Sequence, residues 1–507
     1  MSTGKYVLGF VMVWCQCFTS VAQKTDYNWL AGYASQAGFD SSANYWFGIS
    51  RFDFNQNPVD LSRDSLGIWF GRGGSMISDS SGQLLFYTNG FRVHNSQDVL
   101  MENGDSLGWS YRDATSEDYL YGRRFQQGGI CIPDPAGKNR YYFVHTFIDS
   151  SLAFGLLIKK IMYCVIDPDA NNGKGSVLNK NSVLVDAGNG GALAACKQGN
   201  GKDWWLVSTR FNSNCHYLMK ADTQGIFLAD SVYSGLPTII GDVAPVRFSP
   251  DGNYFISGST ANASINFFAF DRCTGKLTLK ESVDSIAEFN TFDSTFYFFS
   301  MEVSPNSRYL YTFSQKYVLQ WDMWADTIAK SKTIVAVGTD FTFNYPFFHG
   351  QLAPDGKIYI QSGNGTPYIS IIENPDVGGA SCNVVQKVAL PTYINGLPHF
   401  PNYRLGAKNC GSTGITTQGN AAILRLGVYP NPATNYVITD YGNFGWQESS
   451  RLTLTITDNI GRVVYSTPLP QYSGVHKANV SGFASGIYHI IINDNHNNIS
   501  SGKFVKE

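Results

Sequence analysis

Three stretches of this 507-residue chain repeat one phrase: VRFSPDGNYFISGS at 246–259, MEVSPNSRYLYTFS at 301–314 and QLAPDGKIYIQSG at 351–363. Each is an apolar run, a turn of Pro, Asp, Asn or Gly, and a second run opening with aromatics. Proline fixes φ at the corner, and Asp/Asn-Gly accepts the positive φ of a tight hairpin. Looser copies are SMISDSSGQLLFYTNG (75–90), CIPDPAGKNRYYFVHT (131–146) and ACKQGNGKDWWLVSTR (195–210). A repeat constrains a fold more than any single motif, because each unit must stack on its neighbours to bury its faces.

Two further strand-like runs follow each hairpin, such as INFFAFD (265–271) with KLTLKESV (276–283), and YISIIEN (368–374) with NVVQKVAL (383–390). Four strands per unit, recurring at about 50–60 residues, is the pattern of β-propeller blades. Six full units leave NYWFGISRFDFNQNPVDLS (44–62) at one end and GLPHFPNYR (396–404) at the other. The first reads as strands two to four of a blade and the second as its missing inner strand. The expectation is therefore an all-β chain with a seven-bladed β-propeller over 27–405, its two ends sharing one blade. Such closure removes open sheet edges. A six-bladed ring with a decorated edge is the alternative.

The N-terminus, MSTGKYVLGFVMVWCQCFTSVAQKTD, has Lys5, an apolar run from Tyr6 to Trp14, and the small residues Ser20-Val21-Ala22. That run is short of the ~20 residues of a membrane span. It reads as a secretory signal over 1–22, cleaved between Ala22 and Gln23. No other long apolar run follows, so the mature chain is expected not to span a membrane. Charged residues make up 15% and the net charge is −2, which leaves no basic stripe for nucleic acid. Seven cysteines remain after cleavage, an odd number. Spacing alone cannot pair them; Cys382 with Cys410 is the first pair to test, since both lie in loop-like sequence.

After Arg404 the composition turns to Gly, Thr and Asn, a flexible linker over 406–423. The last segment, 424–507, holds strands at LRLGVYP, NYVITD, RLTLTITD, RVVYSTP, GIYHIIIND and GKFVKE. In RLTLTITD, Leu452, Leu454 and Ile456 alternate with threonines, as in a half-exposed strand of a small β-sandwich. The ordered set VYPNPATNYV, LTITDNIGRVVY, SGIYHIII and terminal GKFVKE resembles the C-terminal sorting domain of the type IX secretion system of Bacteroidetes. That resemblance implies delivery across the outer membrane, with the type IX secretion machinery as partner, and release or attachment at the cell surface. More loosely, YWFG, ISDSSGQLLFYTNG and INGLPHFPNY resemble the propellers of Bacteroidetes surface proteins, including gliding-motility-associated ones, which implies a fold and a location but no reaction. Asp-Ser/Thr-aliphatic triplets at 64–66, 105–107, 230–232, 284–286 and 326–328 resemble the O-glycosylation sites of Bacteroidetes secreted proteins.

No nucleophile elbow, HExxH, phosphate loop or dinucleotide fingerprint is present, and no Cys/His spacing fits zinc; no cofactor or metal is expected. GRGGS (71–75) lacks the lysine and helix of a phosphate loop and reads as entry into an inner strand. Asp79, Asp134, Asp251 and Asp355 sit where an Asx turn already employs them. Aligning the repeats places Arg247, Glu302 and Gln351 in one register, with His349 and His399 on the innermost strands, so these five are the candidate ligand-binding group at the channel. A structural Arg–Glu ion pair explains the same pattern. Trp109, Tyr111, Tyr119 and Tyr121, in the long insertion GDSLGWSYRDATSEDYLYGRRFQQ, are candidate loop-binding aromatics. The expected function is a secreted or surface binding or adhesion protein with a glycan or protein ligand. The alternative is a hydrolase or lyase acting on polysaccharide or peptide at the channel.

Overall fold

The computed structural model describes residues 23–34, 38–40, 45–109, 122–123, 125–149, 157–186, 190–238, 244–260, 263–284, 298–314, 316–339, 346–408, 410, 424–440, 452–469, 475–493 and 499–507. Within them the repeated turns fold as their residues dictate. Asp251 Oδ1 accepts the hydroxyl of Ser249 (2.6 Å) and the N–H of Asn253 (3.0 Å). Asn306 does the same for Ser304 and Arg308. Asp355, Asp79 and Asp134 each cap a backbone N–H two residues on. The residue after Asp or Asn takes positive φ: +69° at Gly252, +80° at Gly356 and +63° at Ser307. These carboxylates are turn formers.

The turns connect antiparallel strands into sheets whose strands follow chain order. Among the described residues the first unit holds seven such sheets, besides the two-stranded ribbon of Phe39–Asp40 and Tyr45–Trp46. The first comprises Asn28–Gly32, Ile49–Asp53 and Asp60–Asp64, and the second Ser75–Ser78, Leu84–Thr88 and Val93–Asn95. The third is Gly129–Pro133, Tyr141–Asp149, Leu157–Asp167 and Ser176–Val185; the fourth is Gly190–Lys197, Trp204–Arg210, Ser213–Asp222 and Gly225–Thr238. The fifth is Val246–Phe248, Tyr254–Ser259, Ser264–Phe270 and Leu277–Val283, and the sixth Phe298–Val303, Tyr309–Ser314, Tyr317–Asp322 and Thr333–Val337. The seventh is His349–Leu352, Ile358–Gln361, Thr366–Ile372 and Val384–Ile394.

Sheets pack face to face. Ile265 and Phe267 of the fifth meet Met301, Val303 and Leu310 of the sixth. Tyr309, Tyr311 and Phe313 of the sixth meet Ile358, Ile360 and Ile372 of the seventh. Each such side chain is buried, worth roughly 1.5–3 kcal/mol apiece. The first strands of successive sheets touch one another in chain order, and the last strand of the seventh lies on the first sheet. There the Ser50 and Thr392 hydroxyls meet at 2.8 Å.

One expectation is overturned. Residues 44–62 do not share a blade with 396–404, for Ile49–Asp53 pairs with Asn28–Gly32 on one side and Asp60–Asp64 on the other. NWLAG, wholly buried around Trp29, is the first strand of its own sheet. Residues 396–405 form no strand; Pro398 and Pro401 cannot donate to a ladder. The segment is instead a strap, with Tyr403 donating to Cys131 O (2.6 Å) and Asn402 to Pro250 O (2.7 Å). Arg404 pairs with Asp26. The cysteine expectation also fails, for Cys382 is a buried free thiol.

The chain divides into two units, up to residue 409 and from 410 onward. In the second, a five-stranded sheet runs in the order Leu424–Arg425, Ile499–Lys506, Gly486–Asn493, Leu452–Thr457 and Val463–Leu469. A three-stranded sheet is made by Gly427–Tyr429, Tyr436–Asp440 and Val475–Asn479. Leu452, Leu454 and Ile456 alternate inward as their spacing requires. They share one core with Val437 and Ala478 of the smaller sheet.

Candidate functional site

The first strand of each sheet leaves one edge without a ladder partner. Its N–H and C=O groups, buried where first strands converge, must find partners elsewhere. Polar side chains supply them. Arg247, buried, donates from Nε to Met301 O (3.0 Å), from Nη2 to Gly350 O (3.0 Å) and from Nη1 to His399 Nδ1 (2.6 Å). It thus ties the fifth sheet to the sixth, the seventh and the strap. Glu302 lies 3.3 Å from Arg247 Nε, while its two oxygens accept the N–H groups of Val303 (2.9 Å) and Leu352 (3.0 Å). Burial pushes its carboxyl above the usual carboxylate range, against the pull of Arg247 and those two N–H groups.

His399 Nε2 donates to Leu193 O at 2.8 Å, so Nδ1 accepts from Arg247, one defined neutral tautomer. Burial, then Arg247 and His349, hold its pKa well below the ordinary histidine value. Gln351 donates to Leu352 O (3.1 Å). Two residues that sequence reading missed complete the pattern. Gln127 exchanges both hydrogen bonds with the Val246 backbone, at 2.8 and 3.2 Å. Arg123 donates to the carbonyls of Thr146, Gly90 and Leu107 (2.6–3.2 Å). Both lie at the end of the insertion, where nothing repeats; a Gln-Gln pair just before an inner strand was the available signal.

Arg247, Glu302, Gln351 and His399 line a cavity of about 260 Å³ at the turn end of the inner strands, near Pro250, Pro305 and Pro354. Asp26 and the half-exposed side chain of Arg404 complete it. The structure thus assembles four of the five channel candidates around one cavity, yet commits their polar groups to backbone and to one another. His349 stands apart. It does not line the cavity, and neither ring nitrogen has a partner. Burial, then Arg247 and Arg72, lower its pKa to about 3.

Of the loop candidates, Trp109 is 37% exposed, while Tyr111, Tyr119 and Tyr121 lie outside the described residues, as does Ala22. Gln23 accepts from Lys197 Nζ at 2.8 Å. Among the described residues, no group of three or more His, Cys, Asp or Glu side chains could hold a metal ion. No helix there is long and apolar enough to cross a membrane.

These features define an all-β chain of stacked meander sheets whose convergent polar residues serve the fold. Residues 427–507 match the Secretion system C-terminal sorting domain family. The match supports sorting by the type IX secretion system, and hence export, with secretion or attachment at the cell surface. Among curated proteins, none matches this chain. The chain is similar in structure to a periplasmic gluconolactonase of Pseudomonas aeruginosa, at 11% identity and a TM-score of 0.41 over 74% of this chain and 99% of that one. It is similar to a functionally unknown protein from Desulfotomaculum acetoxidans, at 15% identity and a TM-score of 0.39 over 70% and 96%. A third likeness is to the Dos1 propeller, at 8% identity and a TM-score of 0.38 over 73% and 82%.

Proposed function

We propose that this chain is an exported seven-bladed β-propeller that binds a ligand at the bacterial surface without catalysis, its last 84 or so residues (424–507) forming a β-sandwich read by the type IX machinery as an address. On this reading 1–22 is removed on export, 27–405 is the propeller, and 406–423 the linker. The chain sequence of sheets, each touching the next through its first strand, supports a closed ring. The observation that carries the non-catalytic reading is the commitment of Glu302: both oxygens accept backbone N–H groups of two neighbouring inner strands beside Arg247, so its buried carboxylate is accounted for by holding the sheets together. A gliding-type surface protein of Bacteroidetes is the class of binder that the propeller phrases suggest.

Two measurements test it. A chain ending at Ala422 is expected to accumulate in the periplasm while the full chain reaches the medium or the outer surface; equal export of both refutes the address. A hydrolase and lyase panel on the purified full chain is expected to show no turnover. Turnover abolished by Glu302→Gln, with the melting temperature preserved, establishes the enzyme alternative instead.

A further inference from the structure

Removal of 1–22 leaves Gln23 first in the exported chain. Its side chain is already engaged: Oε1 accepts from Lys197 Nζ at 2.8 Å, at the end of the inner strand of the fourth sheet. Lys197 is buried, with Nζ 5.6 Å from the ring centre of Trp204. A buried ammonium needs an acceptor, and the Gln23 carbonyl supplies one. Burial, then Arg272, lower the lysine's pKa to about 8.

The charges around this terminus are of one sign. Arg272 donates from Nε to Lys197 O at 2.8 Å. Lys24 meets neutral groups, Asn55 Oδ1 at 3.3 Å and the ring of Tyr27 at 5.3 Å. Asp26, close by in the chain, is already paired with Arg404. A free α-ammonium on Gln23 adds another cation. Its nitrogen is only a few bonds from Oε1, so it stays within about a Debye length of Lys197 Nζ, ~10 Å at 0.1 M salt, where screening is incomplete.

We propose that Gln23 is a modification site: once exposed as the terminus it closes to the five-membered lactam, pyroglutamate, whose carbonyl Lys197 holds. The inference rests on the cleavage reading above. The α-nitrogen attacks Cδ, the Cδ–Nε2 bond breaks, and Nε2 leaves as ammonia with the proton that the α-nitrogen gives up. No oxidant, reductant or co-reactant enters. The site selects this product atom by atom. Oε1, which Lys197 holds, survives as the lactam carbonyl and accepts as before. Nε2, the atom lost, makes no hydrogen bond among the described residues. The α-charge beside Lys197, Lys24 and Arg272 disappears. The same ammonium polarises the amide carbonyl and so favours attack at Cδ. Gln23 is also exposed, which leaves room for the ring to close.

The exported chain, purified from cells that secrete it, decides the modification. Its chymotryptic peptide ending at Tyr27 is expected to begin at residue 23 and to weigh less than QKTDY by one ammonia, and the intact chain is expected to resist Edman degradation. A peptide of full QKTDY mass overturns the lactam and leaves the cleavage reading standing. A peptide that begins elsewhere sinks the cleavage reading itself. Ammonia lost instead in a fragment that joins Gln23 to Lys197 by an amide also overturns the lactam. Pyroglutamyl peptidase acting on the folded chain tests the hold. Ring removal is expected to run tenfold or more faster in Lys197→Met than in the parent, while Lys197→Arg, which keeps a donor, stays close to the parent. Equal rates in all three overturn the held carbonyl.

Discussion

Gly252 and Gly356 hold the same place in two copies of the turn, at φ of +69° and +80°. A Cβ on Gly252 would lie 2.6 Å from Arg272 Cδ and 2.8 Å from Cys196 Sγ, whereas one on Gly356 would meet nothing within 4 Å. Gly356→Ala is then expected to cost only the left-handed strain, about 1 kcal/mol. Gly252→Ala should cost at least twice that, because backbone strain and a blocked site add. Urea unfolding of the two variants checks the difference, and equal losses would contradict this account of the turn. Ser307 bears the same strain in the third copy and uses its hydroxyl to accept the N–H of Asp251 at 3.0 Å.

In the first unit, elements are legible where they repeat and illegible where they do not. The hairpins around Asp251, Asn306 and Asp355 could be read because turn chemistry and aromatic strand openings recur together. NWLAG could not: five residues, buried throughout, carry neither alternation nor a turn signal of the repeated kind. In GLPHFPNYR a count of strands argues for one more strand, whereas its prolines argue for a strap. Arg247, Glu302 and Gln351 line one cavity, but sequence cannot show that unpaired strand edges consume those side chains. Gln127 and Arg123 escaped for the same reason. At this scale Tyr403→Phe is the sharpest probe, since it removes the bond to Cys131 O and leaves a buried carbonyl unmet. Differential scanning calorimetry should show a loss of about 1–3 kcal/mol; no change would mean that the strap is not held there.

Across the whole molecule, four buried histidines share one sign. Burial lowers His145 and His349 to about 3, His216 to about 4, and His399 well below its ordinary value. Their folded pKa values are depressed below the unfolded value of about 6.5. The unfolded chain therefore takes up protons first, and their contribution, present above that value, is lost as pH falls toward 4. Asp26 and Glu302, raised by burial, act in the opposite sense, two groups against four. The melting temperature should hold from pH 8 to 7 and then drop between 6.5 and 4.5. Each net proton is worth roughly 1.4 kcal/mol per pH unit once the slope is fully developed. A flat profile across that window would contradict the burial of these rings.

The most direct test is the double-mutant cycle of Arg247→Met and His399→Leu, read by equilibrium unfolding. If these buried polar residues exist to sew sheets and strap together, the two changes should couple by about 0.5–3 kcal/mol. Strictly additive losses, or variants as stable as the parent that lose a ligand or a turnover, would contradict it.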